Sequence, residues 1–503
     1  MDAAQGSIGA RMASGTMTLI VSRLLTRCFD LVLLVVFARL LLPRDFGTVA
    51  IALTIVQILE AVLDMPVAQV VVRSSDPSRD LIDTAFTISL LRGLLLMLAL
   101  AALAWPIALL YGNAALVPVI CALGLAPAMR GLTSPALALY ARVIDFRRDL
   151  LVEFTGKAAG LLAGTIAAFI LRDYRAIVVS TIATPIAMMA TSFLVAPHRV
   201  RLTLRHGRQF YGFLGWFTAS QLVSALNWRS NRLVLGMYVP SGALGSFTLA
   251  GDLAAVPEQG LIQPMIRPLV AAFARVQDDM ERLRVLYCNS VATTLAISFP
   301  VVIGLAVFAD PVVGLVLGAK WSATPPIVTW LALGVCLSAL TATYTPLCIA
   351  LGRATQLFGL NLIQMIVLLP ALLLLTARWG VTGAIAAQFL TFAVGAVAVM
   401  LRVRALIGAS ILAQARAIGR VVAGAIVYAA LLLAVKHGLH GTPPATLMLL
   451  LPIAGGAGLA LFWATMFLLW RMAGRPDGLE RFVLRLGARI LERSRAKWIR
   501  AQA

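Results

Sequence analysis

Stretches of about twenty residues carrying few or no charges recur along this chain from near its start to Arg471. A bilayer core about 30 Å thick needs roughly 20 apolar residues per helix, so each stretch is long enough to span one. A spanning strand would alternate apolar and polar residues over about ten positions, whereas these stretches are apolar all round. Composition agrees. Hydrophobic residues make up 61% of the chain and charged ones 13%, with a mean hydropathy of +0.93, against roughly 45–50% and 25% in soluble domains. The expected fold class is an all-α integral membrane protein.

Broken at Pro, Gly and charge clusters, the runs number about fourteen. They are expected at 16–40, 46–71, 82–110, 116–140, 151–171, 176–196, 211–237, 244–273, 286–308, 326–351, 356–377, 382–400, 418–435 and 446–470. The first run continues without a convincing cleavage site, so helix 1 is expected to be retained. The net charge of +21 could suggest nucleic acid, but no basic stripe interleaved with aromatics is present. Arginines gather at alternate helix ends instead. The even-numbered loops hold Arg73 and Arg79, Arg142, Arg147 and Arg148, Arg199 to Arg208, Arg275 to Arg284, Arg353, and Arg402 to Arg420. By the positive-inside rule these loops and both termini are cytoplasmic.

The junction of helices 1 and 2, LLPRDFGTVAIAL from Leu41, resembles that of helices 7 and 8, YVPSGALGSFTLAG from Tyr238. Six helices separate the copies, and an even number of crossings gives parallel repeats. The expected organisation is therefore an N-lobe at 1–197, a basic linker at 198–209, a C-lobe at 210–405, a terminal helix pair at 406–475 and a basic tail at 476–503. The two lobes are expected to flank a central cavity. In the tail, 479–498 reads as an amphipathic helix for an anionic leaflet.

No nucleotide-binding GxxxxGK[ST], HExxH or His/Cys cluster is present, so neither an ATPase site, a metal nor another cofactor is expected. The five cysteines fall in apolar runs and read as small core residues. The four histidines, His198, His206, His437 and His440, are expected to be solvated in loops. What remains is charge inside the membrane, where an arginine costs about 2.5–3.5 kcal/mol and so usually faces a cavity or a partner. These candidates are Arg23 and Arg27 on helix 1, Arg92 on helix 3, Arg130 on helix 4, Arg229 and Arg232 on helix 7, and Arg267 on helix 8. Guanidinium forks suit a phosphate or diphosphate. The alternatives are pairing of Arg27 with Asp30 on the same face and snorkelling of Arg23 and Arg267. The acids Asp30, Glu60, Asp64, Glu153, Asp252 and Glu258 suit ion coupling or structural pairing, for example of Glu153 with Lys157 one turn on. Pro127 and Pro135 in helix 4, and Pro257, Pro264 and Pro268 in helix 8, should kink those helices.

With these residues in view the chain resembles the polysaccharide transporter family, the Wzx-like flippases of the multidrug/oligosaccharidyl-lipid/polysaccharide exporter superfamily. The segments that carry the likeness are ARLLLPRDFGTVAIAL from Ala38, ALYARVIDFRRDLLVE from Ala138, the run NRLVLGMYVPSGALGSFTLAGDLAAVPEQG from Asn231, and FPVVIGLAVFADPVVGLVLGAKW from Phe299. The resemblance implies twelve or fourteen helices around a cationic cavity and export of a polyprenyl-diphosphate-linked oligosaccharide across a bacterial inner membrane, for exopolysaccharide, capsule or O-antigen (lipopolysaccharide) synthesis. It implies no covalent chemistry, and it makes polymerase and chain-length or export proteins the partners. Where many members have an Asp before the apolar end of helix 7, this chain has Asn231 and Arg232. The Asp-x-Gly expected near the end of helix 2 becomes Asp64, Met65, Pro66. Competing readings are a cation-coupled drug antiporter, which would want an acidic cavity, a peptidoglycan-precursor flippase, and a sugar polymerase, against which the short loops argue. Reporter fusions test the topology: fusions after Gly112 and Gly242 are expected to read outside and one after Gly207 inside, and an outside signal at Gly207 would overturn the assignment.

Overall fold

A computed structural model describes residues 25–63, 67–74, 78–142, 145, 147–207, 216–438 and 444–472. Arg23, Asp64, His440 and the basic tail fall outside the described residues. Helix α1 covers 25–40, α2 Pro43–Val62, α3 Arg79–Leu110, α5 Arg147–Leu171, α6 Arg175–Val195 and α7 Trp216–Tyr238. Between α3 and α5, α4 comes in three pieces, Leu116–Leu123, Leu125–Gly131 and Leu137–Arg142. Helix α8 runs from Ser241–Pro257 through a π-turn to Gln263–Ala274, α9 is Met280–Val307, and α10 is Pro325–Ala339 followed by Tyr344–Ala350. Helices α11 and α12 share Ala354–Ile407, α13 is Ile411–Gly438 and α14 is Pro444–Met472. Nine of the described helices are individually long and apolar enough to cross a membrane, and the longest of them, Thr355–Ile407, holds two spans. The protein is an all-helical, multi-pass membrane protein.

Helix ends follow local chemistry. Pro43 opens α2, where the Asp45 carboxylate accepts from the Leu42 N–H at 2.9 Å, and the Ser78 and Asp279 side chains cap α3 and α9. Gly380, at φ 56°, turns the chain between α11 and α12, and Gly408, at φ 69°, closes α12, both in the left-handed region that glycine enters without strain. Inside the spans hydroxyls turn back on their own helix. Thr54 donates to the Ala50 carbonyl at 2.6 Å and Ser298 to the Thr294 carbonyl at 2.8 Å, because a polar group in hydrocarbon must find an internal partner.

Both helices expected to kink do so, although α8 runs unbroken through Pro268. Helix α4 breaks at Gly124 and again over 132–136, beside Pro135, and α8 passes into the π-turn Glu258–Ile262 directly after Pro257. The ring that removes a backbone donor leaves the ladder to re-form one residue out of step.

Two compact units divide the chain, Met1–Thr248 with Thr376–Val381, and Leu249–Leu375 with Thr382–Ala503. Within the first, α5 and α6 meet through Gly156, Gly160 and Gly164. A Cβ on any of these would collide with Met188, Thr184 or Ser180, and the Ser180 hydroxyl donates to the Gly160 carbonyl at 2.9 Å, a small-residue interface of the kind that lets membrane helices approach closely. Helix α7 packs along α2. The two similar junctions seen in the sequence also meet: a Cβ at Gly47 would strike the Ser241 carbonyl, and one at Gly245 would strike the Pro43 carbonyl. Within the second unit, α9 is the central element, with 72% of its apolar window enclosed against 28% for α13. Its Tyr287 and Leu295 share a core with Phe273, Tyr344 and Leu347, and Lys436 of α13 meets Asp310 at 2.5 Å.

Only one of the cysteines behaves as a core residue. Cys348 is buried, Cys288 and Cys336 are half-buried, and Cys28 and Cys121 are exposed, since an apolar face toward lipid needs no burial in protein. Because backbone cannot yield as a side chain can, Gly47→Ala and Gly245→Ala should each lower stability by about 1–3 kcal/mol. Gly242→Ala, in the same turn but with open space around it, should be neutral or stabilising by up to about 1 kcal/mol. Thermal unfolding of the purified variants is the check, and equal behaviour of all three would contradict the close crossing.

Candidate anion-binding site

Near its C-terminal end, α2 presents Gln57 and Glu60, one turn apart in a stretch, Phe46 to Val62, otherwise built of apolar and small residues. Three other helices bring arginines to this turn. The Arg130 guanidinium of α4 meets Glu60 Oε1 at 2.5 Å, with the arginine side chain 49% exposed and the glutamate 22%. From α3, Arg92 Nη2 donates to the backbone carbonyl of Glu60 at 3.4 Å. From α7, Arg229 donates to Gln57 Oε1 and has Arg232 and Glu60 as its charged neighbours.

Local sequence explains the convergence. Arg92 is followed by Gly93 and Arg130 by Gly131. A Cβ at Gly93 would lie 2.9 Å from the Ala128 Cα, and one at Gly131 would strike the Ser89 carbonyl. The two glycines let α3 and α4 touch backbone to backbone and so set their arginines side by side. On α7, a Cβ at Gly236 would be 3.1 Å from Ile51 and Tyr111. Beyond the C-terminal end of α3, the Tyr111 hydroxyl donates to the Leu233 carbonyl at 2.9 Å. Burial pushes its phenol up to about 12, so it stays a neutral donor at any physiological pH.

Three of the seven arginines singled out in the sequence, Arg92, Arg130 and Arg229, therefore gather about one polar turn with Glu60 from the list of acids, and a fourth, Arg232, is a charged neighbour of Arg229. Three guanidinium groups against one carboxylate leave the cluster cationic, and Arg130 keeps half its surface open. Such a site can hold an anion by charge-assisted, forked hydrogen bonds. Gln57 was missed by sequence reasoning. The available signal was its place one turn before Glu60 in an apolar helix, and the Arg-Gly pairs 92–93 and 130–131 were a second one.

Other candidates lie elsewhere. Arg27 is exposed on α1 and Arg267 is exposed on α8, and no hydrogen bond or ion pair among the described residues ties either to the cluster. Asp30 does not pair with Arg27, and Lys157 does not pair with Glu153. Lys157 reaches from α5 to Asp30 of α1 at 2.5 Å, which neutralises two half-exposed charges within the spans. Glu153 and Asp252 are exposed and Glu258 is half-buried in the π-turn of α8. Asn231, standing where an acid was expected from the resemblance, is buried with its side-chain oxygen unpaired. The expectation of solvated histidines fails for His198. Its Nε2 sits 2.8 Å from Asp83 Oδ1, a carboxylate 1% exposed, which also accepts the Arg201 N–H at 3.2 Å. Together with Thr203 N–H to Thr87 Oγ1 at 3.1 Å, these bonds lay the start of the basic linker along the N-terminal end of α3, since the buried carboxylate needs partners that solvent does not supply.

The fold is that of a transporter. It resembles a solved structure described as the lipid II flippase MurJ in an inward closed conformation, with a TM-score of 0.72 at 15% identity over 92% of this chain and 100% of that one. An inward-facing multidrug resistance MATE family transporter of the MOP superfamily aligns with a TM-score of 0.63 at 13% identity, over 76% of this chain and 96% of that one. The family model for polysaccharide biosynthesis proteins matches residues 36–326, more than half the chain, and the chain belongs to that family. Among curated relatives, the lipopolysaccharide biosynthesis protein WzxC of Escherichia coli (strain K12) is 26% identical over 361 residues, 68% of this chain and 71% of that protein. The succinoglycan biosynthesis transport protein ExoT of Rhizobium meliloti (strain 1021) is 24% identical over 337 residues, 65% of this chain and 67% of its own.

Proposed function

We propose that this protein is a flippase that carries a polyprenyl-diphosphate-linked oligosaccharide repeat unit across the bacterial inner membrane by alternating access, with both termini cytoplasmic. The single observation that carries the substrate class is the convergence of Arg92, Arg130 and Arg229 on one turn of α2, with Arg232 as a charged neighbour of Arg229. The names of WzxC and ExoT, in lipopolysaccharide biosynthesis and succinoglycan transport, support the same reading. The N-lobe, linker, C-lobe, terminal helix pair and tail drawn from the sequence belong to this proposal, as do polymerase and chain-length or export proteins as partners.

A diphosphate cannot cross about 30 Å of hydrocarbon alone, because stripping water from an unpaired charge costs many kcal/mol. Fixed guanidinium groups replace that water without reorganising. Each phosphorus of a diphosphate diester carries one acidic oxygen, and forks from different helices can grip both at once. The sugars stay hydrated and the polyprenyl chain stays in lipid. No bond is made or broken, and the residues named bind and release. A drug-cation antiporter would need an uncompensated acid here, whereas Glu60 is already neutralised by Arg130.

Complementation of a flippase-deficient strain tests the site. The triple variant Arg92→Ala, Arg130→Ala, Arg229→Ala is expected to abolish polymer export at normal membrane abundance. Lys at the same positions should keep partial activity, since the charge survives and the fork is lost. Full export by the Ala triple would refute the proposal.

A further inference from the structure

We propose that Glu60 is a built-in counter-anion: its carboxylate occupies the diphosphate seat when the site is empty, yields it on binding, and reclaims it to expel the substrate. The inference rests on the diphosphate reading above and adds to it the device that keeps binding reversible.

The geometry carries it. One turn of α2 offers three oxygens, Gln57 Oε1, the Glu60 carbonyl and Glu60 Oε1, and each is taken by a guanidinium from a different helix, α7, α3 and α4 respectively. The two arginines of α3 and α4 are thus both held by residue 60, one through its backbone and one through its side chain. Of the three oxygens only Glu60 Oε1 is charged, and its guanidinium partner is also the most exposed of the three, with half of its surface open. The bond with the most to exchange therefore lies at the open edge of the cluster. The other two bonds hold their arginines to neutral acceptors and so keep the seat's shape.

Charge requires such a group. Three guanidinium groups held at one turn of a span, with Arg232 as a further charge beside Arg229, repel one another and face the insertion cost that any membrane cation does, and Glu60 offsets part of that in the empty state. An arginine cluster without an internal competitor would also hold a diphosphate too long, because interactions equally strong on entry and on exit slow release. A tethered carboxylate solves both problems. It is displaced by a ligand with two charges, cannot diffuse away, and returns to Arg130 as the ligand's grip loosens. Gln57, neutral at the matching position one turn earlier, could not compete in this way.

Removing the charge while keeping the shape separates this role from a structural one. Wild-type protein, Glu60→Gln, Glu60→Asp and Arg130→Ala, each in nanodiscs of zwitterionic lipid, would be titrated with geranylgeranyl diphosphate and with inorganic pyrophosphate. Equilibrium binding, dissociation rate and elution profile would be recorded, and export would be scored in flippase-deficient cells. Glu60→Gln should bind the polyprenyl diphosphate on the order of tenfold more tightly, the worth of one charge-assisted hydrogen bond no longer competed for. It should also dissociate more slowly and export less, a split between affinity and turnover that a misfolded site would not give. Glu60→Asp should restore part of the dissociation rate, and Arg130→Ala should bind more weakly than wild type. Unchanged or weaker binding by a folded Glu60→Gln, beside weakened binding by Arg130→Ala, would overturn the counter-anion role and leave the diphosphate site standing. Wild-type protein that binds neither probe would remove the site and this inference with it.

Discussion

The cost of stripping water from charge inside a bilayer governs this structure more than any other constraint. It decides where many of the polar groups in the spans go. Hydroxyls such as Thr54 and Ser298 fold back on their own helix, Lys157 finds Asp30 across a helix pair, and three arginines meet two polar residues of α2. An arginine that served only packing would be replaced by leucine at a gain of several kcal/mol. The proposed diphosphate would meet that cost too, and the gathered guanidinium groups are what would offset it.

Helix contacts are arranged to make that gathering possible. Gly93 and Gly131 bring α3 and α4 to backbone contact immediately beside Arg92 and Arg130, and Gly236 brings α7 onto α2 a turn beyond Arg232. The starts of α2 and α8 interlock reciprocally, Gly47 under the Ser241 carbonyl and Gly245 under that of Pro43, each glycine four residues after the residue whose carbonyl meets the other. Small residues thus fix the frame, and the long guanidinium side chains reach inward from it. Helix α8 adds a different feature, a π-turn after Pro257 that carries Glu258.

The all-helical membrane fold was legible because the bilayer sets span length and hydropathy reports it directly. The kinks of α4 and α8 were legible because proline removes a donor wherever it stands. The break of α10, at 340–343, was passed over, although Pro346 lacks the N–H that would bond the Ala342 carbonyl. The arginines could be picked out because a charge in an apolar run is conspicuous. Their grouping could not, since it depends on how closely α3, α4 and α7 approach α2, and one sequence shows the glycines without the distances. His198 was misjudged for the same reason: a loop histidine looks solvated until Asp83, buried in another element, is seen to require it. Local pattern reveals which residues are expensive, and only packing reveals what offsets the expense.

The central claim is that the arginine cluster on α2 is the seat of the substrate's diphosphate. The most direct measurement is an experimental structure of the protein in lipid with a polyprenyl diphosphate bound. The account predicts phosphate oxygens within hydrogen-bonding distance of Arg92, Arg130 and Arg229, with the Glu60 carboxylate turned away from Arg130. A diphosphate lodged elsewhere, with the Arg130 to Glu60 pair intact, would contradict it.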